Sequence, residues 1–155
     1  DEAAQRLVET RARQTDVGGP SANIDVSMAR WFTPSFLRGS HPCTDKIRQW
    51  ILSNDPVSYA ESRQVLVEGV LELINPELVL SLPTLVITCE KDSGSTPEMA
   101  EAIAAEITGA QWVTIPELQH LGMLENANAF LDPIETFIDG LNRGFQIKEA
   151  LVSEL

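Results

Sequence analysis

The sequence has 155 residues, 43% of them hydrophobic and 22% charged, and 23 acidic against 11 basic side chains give a formal net charge of −12. This composition is typical of one globular domain and excludes a disordered chain. The acidic balance argues against nucleic acid as a partner, because phosphate groups require a surplus of cations. No apolar run approaches the roughly 20 residues of a membrane-spanning helix, so we expect no membrane association.

The start of the sequence, "DEAAQRLVET", is acidic and amphipathic, unlike a secretory signal peptide. Cys43 and Cys89 lack the spacing of a metal site, and reduced thiols are favoured over a disulfide. We therefore expect a cytoplasmic protein with no metal or organic cofactor.

The chain up to Leu82 is dominated by helical patterns, which proline-containing pairs divide. Thr33–Pro34 stops one helix, Thr44 is a candidate N-cap for the next, and Asp55–Pro56 starts a third. Helices are predicted over 2–14, 23–32, 44–54 and 56–69, and a mixed segment broken by Pro76 over 70–82.

The pattern changes after Pro83. The short apolar run "TLVIT" (84–88) is typical of a strand covered on both faces, and "QWVTI" (111–115) predicts a second strand. Thr96–Pro97 opens a helix over 97–107 between them, and a last helical region restarts at Asp132–Pro133. Strand–loop–helix–strand–loop–helix predicts a parallel α/β architecture.

An acid and a histidine follow the two predicted strands. Asp92 comes four residues after the first strand and His120 five after the second. Functional groups of parallel sheets collect at the carboxyl ends of the strands, so neighbouring strands would allow a hydrogen-bonded Asp92–His120 pair. Glu90, Glu117 and Glu125 are competing acids.

The stretch "LPTLVITCEKDSGSTPEMAEAIAAEITGAQWVTIPELQHLGMLENANAF" resembles the C-terminal half of an α/β-hydrolase-fold enzyme. In that family a "G-x-x-D-x-x-x-P" turn after the seventh strand bears the catalytic acid. A "G-H-x-x-x-x-E" turn after the eighth strand bears the catalytic histidine. The resemblance implies Asp92 as the acid, His120 as the base and Glu125 as the acidic residue after the histidine turn. The order Asp then His fits the family's Ser–Asp–His chain order.

The preceding helical part then resembles the cap of such enzymes. "ARWFTPSFL" (29–37) and "DPVSYAES" (55–62) are similar to the cap of 3-oxoadipate enol-lactonases, bacterial hydrolases of aromatic catabolism. The resemblance implies a substrate with a carboxylate and a lactone, with Arg30 as a cation and Trp31 as an aromatic wall. The alternative is a surface arginine and a tryptophan that packs the cap. We expect a cap over 1–82, a core portion over 83–142 and a tail over 143–155.

The sequence also departs from the family. Cys89 and Gln119 stand where the two turns have glycine, which allows unusual backbone angles. No G-x-S-x-G occurs; the nearest match, "GPSAN", lacks the second glycine. We therefore expect the nucleophilic serine and the oxyanion hole on a separate chain, the N-terminal half of the fold, which would complete the parallel sheet. Cys43 or Cys89 as a replacement nucleophile is the alternative.

The expected function is hydrolysis of a carboxylic ester or lactone by a Ser–His–Asp triad, with a small-molecule ester or lactone as substrate. A second hypothesis is a non-catalytic hydrolase half that acts as a binding or regulatory module. In a third, this is an ordinary α/β domain whose histidine has no chemical role.

Overall fold

A computed structural model of the chain describes residues 19–68 and 80–153, with side chains over 19–65 and 80–143. The chain divides into two compact units, Asp1–Leu78 and Val79–Leu155. The predicted helix over 2–14 and most of the mixed segment over 70–82 lie outside the described residues.

The described part of the first unit is helical, as the sequence predicted. A 3-10 turn at Gly19–Ser21 precedes the first of its α-helices. Asp55 caps the last of these helices, because its Oδ1 accepts the N–H of Ser58 at 2.9 Å, which confirms the predicted start. The helices are α1 (Ile24–Trp31), α2 (Pro34–Arg38), α3 (Pro42–Leu52) and α4 (Pro56–Glu68).

The predicted start of α3 was wrong, and α2 was not predicted. α3 begins at Pro42, because proline is already shaped for the first helical position and lacks only an N–H that would be unbonded there. Thr44 lies inside the helix, where its hydroxyl donates to the carbonyl of His41 at 2.6 Å. α2 follows directly on Thr33–Pro34, so this pair ends one helix and starts another.

The apolar face of α1 supplies much of the core of the first unit. Ile24, Met28 and Phe32 recur every fourth residue and are all buried. Phe32 has no exposed surface, and its ring stacks on that of Phe36 with 5.5 Å between the centroids. Ser27, next to Met28, is the polar side chain of α1 that is also buried.

The second unit is a parallel strand pair with helices, the predicted α/β arrangement. β1 (Leu85–Cys89) begins one residue later than predicted, and β2 (Gln111–Ile115) has the predicted bounds. The strands pair in parallel from Leu85↔Gln111 to Cys89↔Ile115. Within β1 only Thr88 and Cys89 are buried. The predicted burial of both faces of this strand is therefore found only at its carboxyl end. The helices are α5 (Pro97–Glu106), α6 (Gly122–Glu125) and α7 (Asn128–Ser153).

The predicted helix restart at Asp132–Pro133 was wrong. α7 begins at Asn128 and continues through Pro133 to Ser153, across the expected boundary at residue 143. Its first turn is anchored by the carbonyl of Ala127, which accepts the N–H groups of Phe130 and Leu131. Proline in the second turn removes one hydrogen bond of many, and a long helix tolerates that loss. None of the helices in the described parts of the chain has the length and apolar character that a membrane crossing requires.

Candidate active site

Two loops leave the same end of the sheet. The acid loop (residues 90–96) follows β1, and the histidine loop (residues 116–121) follows β2. Backbone pairing continues beyond the strands, because Glu90 N–H donates to Ile115 O at 2.8 Å and Lys91 N–H donates to Leu118 O at 3.0 Å. Because the strands are parallel and paired in this register, the two loops begin next to each other at the same end of the sheet.

The loops bring Asp92 and His120 into direct contact. Nδ1 of His120 lies 2.7 Å from Oδ2 of Asp92, a short distance typical of a charge-assisted hydrogen bond. The Asp92 side chain is 5% exposed and that of His120 is 37% exposed. The buried carboxylate thus lies behind an imidazole that keeps part of its surface open.

The acid loop fixes the second oxygen of Asp92. Oδ1 accepts the N–H of Gly94 at 2.7 Å and that of Ser95 at 3.0 Å, an Asx-type turn. The loop is closed by Thr88, whose hydroxyl donates to the carbonyl of Ser95 at 2.5 Å. The carboxylate is held in one orientation by its own loop.

These contacts determine the ionisation of Asp92. Burial raises the pKa of Asp92, but the N–H of Ser95, the imidazole of His120 and the N–H of Gly94 together lower this pKa below its ordinary value. The carboxylate is therefore charged at neutral pH and accepts the Nδ1–H of His120. In a neutral imidazole this leaves Nε2 without a proton, so it can act as a base.

Two of the three competing acids, Glu90 and Glu117, have another role. The carboxylate of Glu90 accepts the N–H of Glu117 at 2.7 Å, and the carboxylate of Glu117 pairs with the Nζ of Lys91. Glu117 has a φ of +64°, and Leu118 N–H donates across it to Pro116 O at 2.8 Å. These contacts clamp the histidine loop to the acid loop in a tight turn that costs backbone strain.

The two missing family glycines do not force unusual backbone angles. Apart from glycine, the described residues with positive φ are Ser40 and Glu117, so Cys89 and Gln119 have negative φ. The left-handed position in the histidine loop is Glu117, two residues before Gln119. The loop therefore reaches its shape without a glycine next to His120.

The environment of Cys89 disfavours it as a replacement nucleophile. Its side chain is buried at the end of β1, with 3% of the residue exposed. Burial raises the pKa of the Cys89 thiol, and the charge of Asp92 raises it further. The reactive species is the thiolate, which this site suppresses at neutral pH. Cys43, the other candidate, is in α3 of the first unit.

The predicted substrate-binding residues belong to the first unit. Arg30 and Trp31 are half-buried at the carboxyl end of α1. Their assignment to substrate binding stays a prediction. Within residues 19–68 and 80–153, no three His, Cys, Asp or Glu side chains come together as metal ligands would.

Sequence reasoning missed the amide donors of the acid turn and the Glu90–Lys91–Glu117 clamp. "DSGS" (92–95) is a recognisable Asx-turn signal, in which an aspartate side chain accepts N–H groups two and three residues later. In the clamp, Lys91 and Glu117 are 26 positions apart in the sequence, and Glu90 and Glu117 are 27 positions apart. No local pattern in the sequence indicates such contacts.

Known proteins are similar to the chain over part of their length. No protein-family model matches the chain. The 3-oxoadipate enol-lactonase 2 of Acinetobacter baylyi is 24% identical over 135 residues, which are 86% of this chain and 49% of that protein. The solved enol-lactonase of Burkholderia xenovorans LB400 matches with a TM-score of 0.76 and 25% identity, over 86% of this chain and 50% of the other. A thermophilic esterase of Thermogutta terrifontis matches with a TM-score of 0.69 and 29% identity, over 90% and 51%.

The comparisons show that the chain has the C-terminal portion of an α/β-hydrolase fold, with an incomplete parallel sheet. Within that fold it is similar to enol-lactonases, as the sequence motifs predicted. The chain spans about half the length of the relatives that it matches. Its relatives are hydrolases, among them enol-lactonases and esterases.

The lowered pKa of Asp92 predicts how stability depends on pH. Because the folded protein favours the carboxylate, ionised Asp92 stabilises the fold above its ordinary pKa of 3.8, and this contribution is lost as pH falls through the lower folded pKa. Asp92→Asn removes the charge and keeps one oxygen acceptor. We expect the difference in unfolding free energy between wild type and Asp92→Asn to shrink below about pH 4. Urea unfolding from pH 7 to pH 3 measures it, and a difference independent of pH would contradict the assignment.

Proposed function

We propose that the chain supplies the acid and base of a Ser–His–Asp triad in a hydrolase of carboxylic esters or lactones. The observation that carries the proposal is the contact of Asp92 with Nδ1 of His120 at 2.7 Å. A carboxylate there fixes the tautomer whose Nε2 accepts a proton, and it stabilises the imidazolium that results. The similarity to enol-lactonases and esterases supports this choice among the reactions that the fold serves.

The chemistry proceeds in two half-reactions. Nε2 of His120 takes the proton of the serine hydroxyl while the serine oxygen bonds to the carbonyl carbon. His120 then gives the proton to the leaving alkoxide oxygen as its bond to carbon breaks. A lactone opens in this step and stays attached as an acyl ester. Water, deprotonated by His120, then attacks the acyl carbon, and the serine regains its proton as the carboxylic acid leaves.

The serine and the oxyanion donors are proposed to come from the N-terminal half of the fold. The orientation of the backbone groups of β1 supports pairing with a strand from that half. Gln111 N–H donates to Thr84 O and Glu90 N–H to Ile115 O, so alternate residues from Thr84 onward bond to β2. The N–H and C=O groups of Leu85 and Ile87 therefore point to the other edge of β1, where a further strand would pair.

The catalytic role of His120 is tested in a fusion of this chain to the half of the Burkholderia xenovorans enol-lactonase that it does not match. We expect the fusion to hydrolyse 3-oxoadipate enol-lactone or simple esters. His120→Ala should lower kcat on the order of 10³-fold, because the general base is lost. His41→Ala, which removes the other histidine, should leave kcat within about twofold. A folded, inactive fusion, or full turnover with His120→Ala, would favour the non-catalytic binding module.

The proposed role of Arg30 is recognition of a substrate carboxylate. Arg30→Ala should raise KM for the carboxylate-bearing enol-lactone about tenfold, the effect of one charged hydrogen bond. The KM for uncharged p-nitrophenyl acetate and the kcat for both substrates should stay unchanged. Arg38→Ala, at the end of α2, is the matched control. Equal changes for both substrates would assign Arg30 to packing instead.

A further inference from the structure

Gly122, the first residue of α6, lies where no larger residue fits. A Cβ built on it would lie 2.7 Å from Cβ of Leu118 and 2.9 Å from Sγ of Cys89, closer than real Cβ contacts. Cβ of Leu118 is fixed to the backbone, so it moves only if the histidine loop moves. The close approach at this point therefore depends on the absence of a side chain.

The residues of this contact lie on both sides of His120 in the sequence. Leu118 and Gly122 lie two residues before and two residues after His120, and Gly122 N–H donates to Gln119 O at 2.8 Å to close the turn. Cys89 lies at the end of β1, three residues before Asp92. A methyl group at position 122 would therefore push the histidine loop away from the strand that leads to the acid loop.

We infer that Gly122 is a positioning residue for His120. Because Gly122 has no side chain, Leu118 of the histidine loop and Cys89 at the end of β1 both pack closely against it, and this packing holds the imidazole against Asp92. The Cys89 thiol thus has a packing role: it fills the space that Gly122 leaves open. The catalytic meaning of this position rests on the proposed function, but the geometric claim does not.

The distances indicate why one methyl group would matter. Relief of the contact requires the Leu118 separation to grow from 2.7 Å past 3.0 Å, below which real Cβ contacts are essentially never seen, and toward 3.4 Å, where ordinary van der Waals contact starts. The bond between Nδ1 of His120 and Oδ2 of Asp92 is 2.7 Å, and such bonds extend only to about 3.2 Å. A shift of several tenths of an ångström in the histidine loop is comparable to the whole range over which this hydrogen bond can lengthen.

The test is the tautomer of His120 in the ¹⁵N-labelled 155-residue chain, read from the long-range ¹H–¹⁵N correlations of its imidazole at high pH. Wild type should show the Nδ1–H tautomer, which the Asp92 carboxylate selects. Gly122→Ala should give a mixture of both tautomers, as in an unconstrained imidazole. Gly140→Ala is the matched control, because a Cβ there meets nothing within 4 Å, and it should keep the wild-type tautomer. The signals of His41, in the first unit, should stay unchanged in every variant.

A second variant separates positioning from a general loss of structure. In Gly122→Ala with Leu118→Gly, the Leu118 Cβ at 2.7 Å is gone, and the remaining contact, Sγ of Cys89 at 2.9 Å, is the end of a side chain that can shift. This double variant should recover the Nδ1–H tautomer, including the case in which Gly122→Ala alone fails to fold. Retention of the wild-type tautomer in Gly122→Ala, or no recovery in the double variant, would overturn the inference. Neither result depends on hydrolysis, so the proposed function would be judged separately by the activity of the fusion.

Discussion

The structure of the second unit depends on one buried carboxylate. Asp92 is 5% exposed, and burial of an uncompensated charge of this kind costs several kcal/mol. Three hydrogen bonds offset that cost: the N–H groups of Gly94 and Ser95 on one oxygen and the imidazole of His120 on the other. The same three contacts keep the group ionised and fix the imidazole. One of the interactions that offset the burial of the acid therefore also sets the tautomer of His120 that leaves Nε2 able to accept a proton.

The parallel strand pair makes these contacts possible. Its register brings Cys89 opposite Ile115, so two loops that are far apart in the sequence begin at the same level. The Glu90–Lys91–Glu117 clamp and the glycine contact at position 122 then hold the histidine loop at two separate points. The strained φ of Glu117 indicates that the surrounding contacts, rather than local preference, determine the shape of this loop.

Local sequence signals predicted most of the described elements and placed Asp92 and His120 after neighbouring strands, because apolar runs and the polar residues after them are properties of short stretches. The cap at Asp55 was found for the same reason. The predicted helix start at Thr44 was wrong because Pro42, two residues earlier, is better suited to the first helical position. The roles of Glu90, Glu117 and Gly122 were hidden, since each depends on a partner on the other loop or strand. Spacing left several competing acids, and the family resemblance selected Asp92. The fold confirms the contact of Asp92 with His120 and shows that Glu90 and Glu117 clamp the histidine loop instead.

The central claim is that His120, held by Asp92, activates a serine on the other half of the fold. The most direct measurement is the rate at which a phosphonate that reacts with activated serines labels that half in the fusion with the Burkholderia xenovorans enol-lactonase portion. We predict rapid labelling with the wild-type chain and labelling slower by roughly 10²-fold or more with His120→Gln, which cannot accept the serine proton. Equal labelling rates in the two fusions would contradict the account.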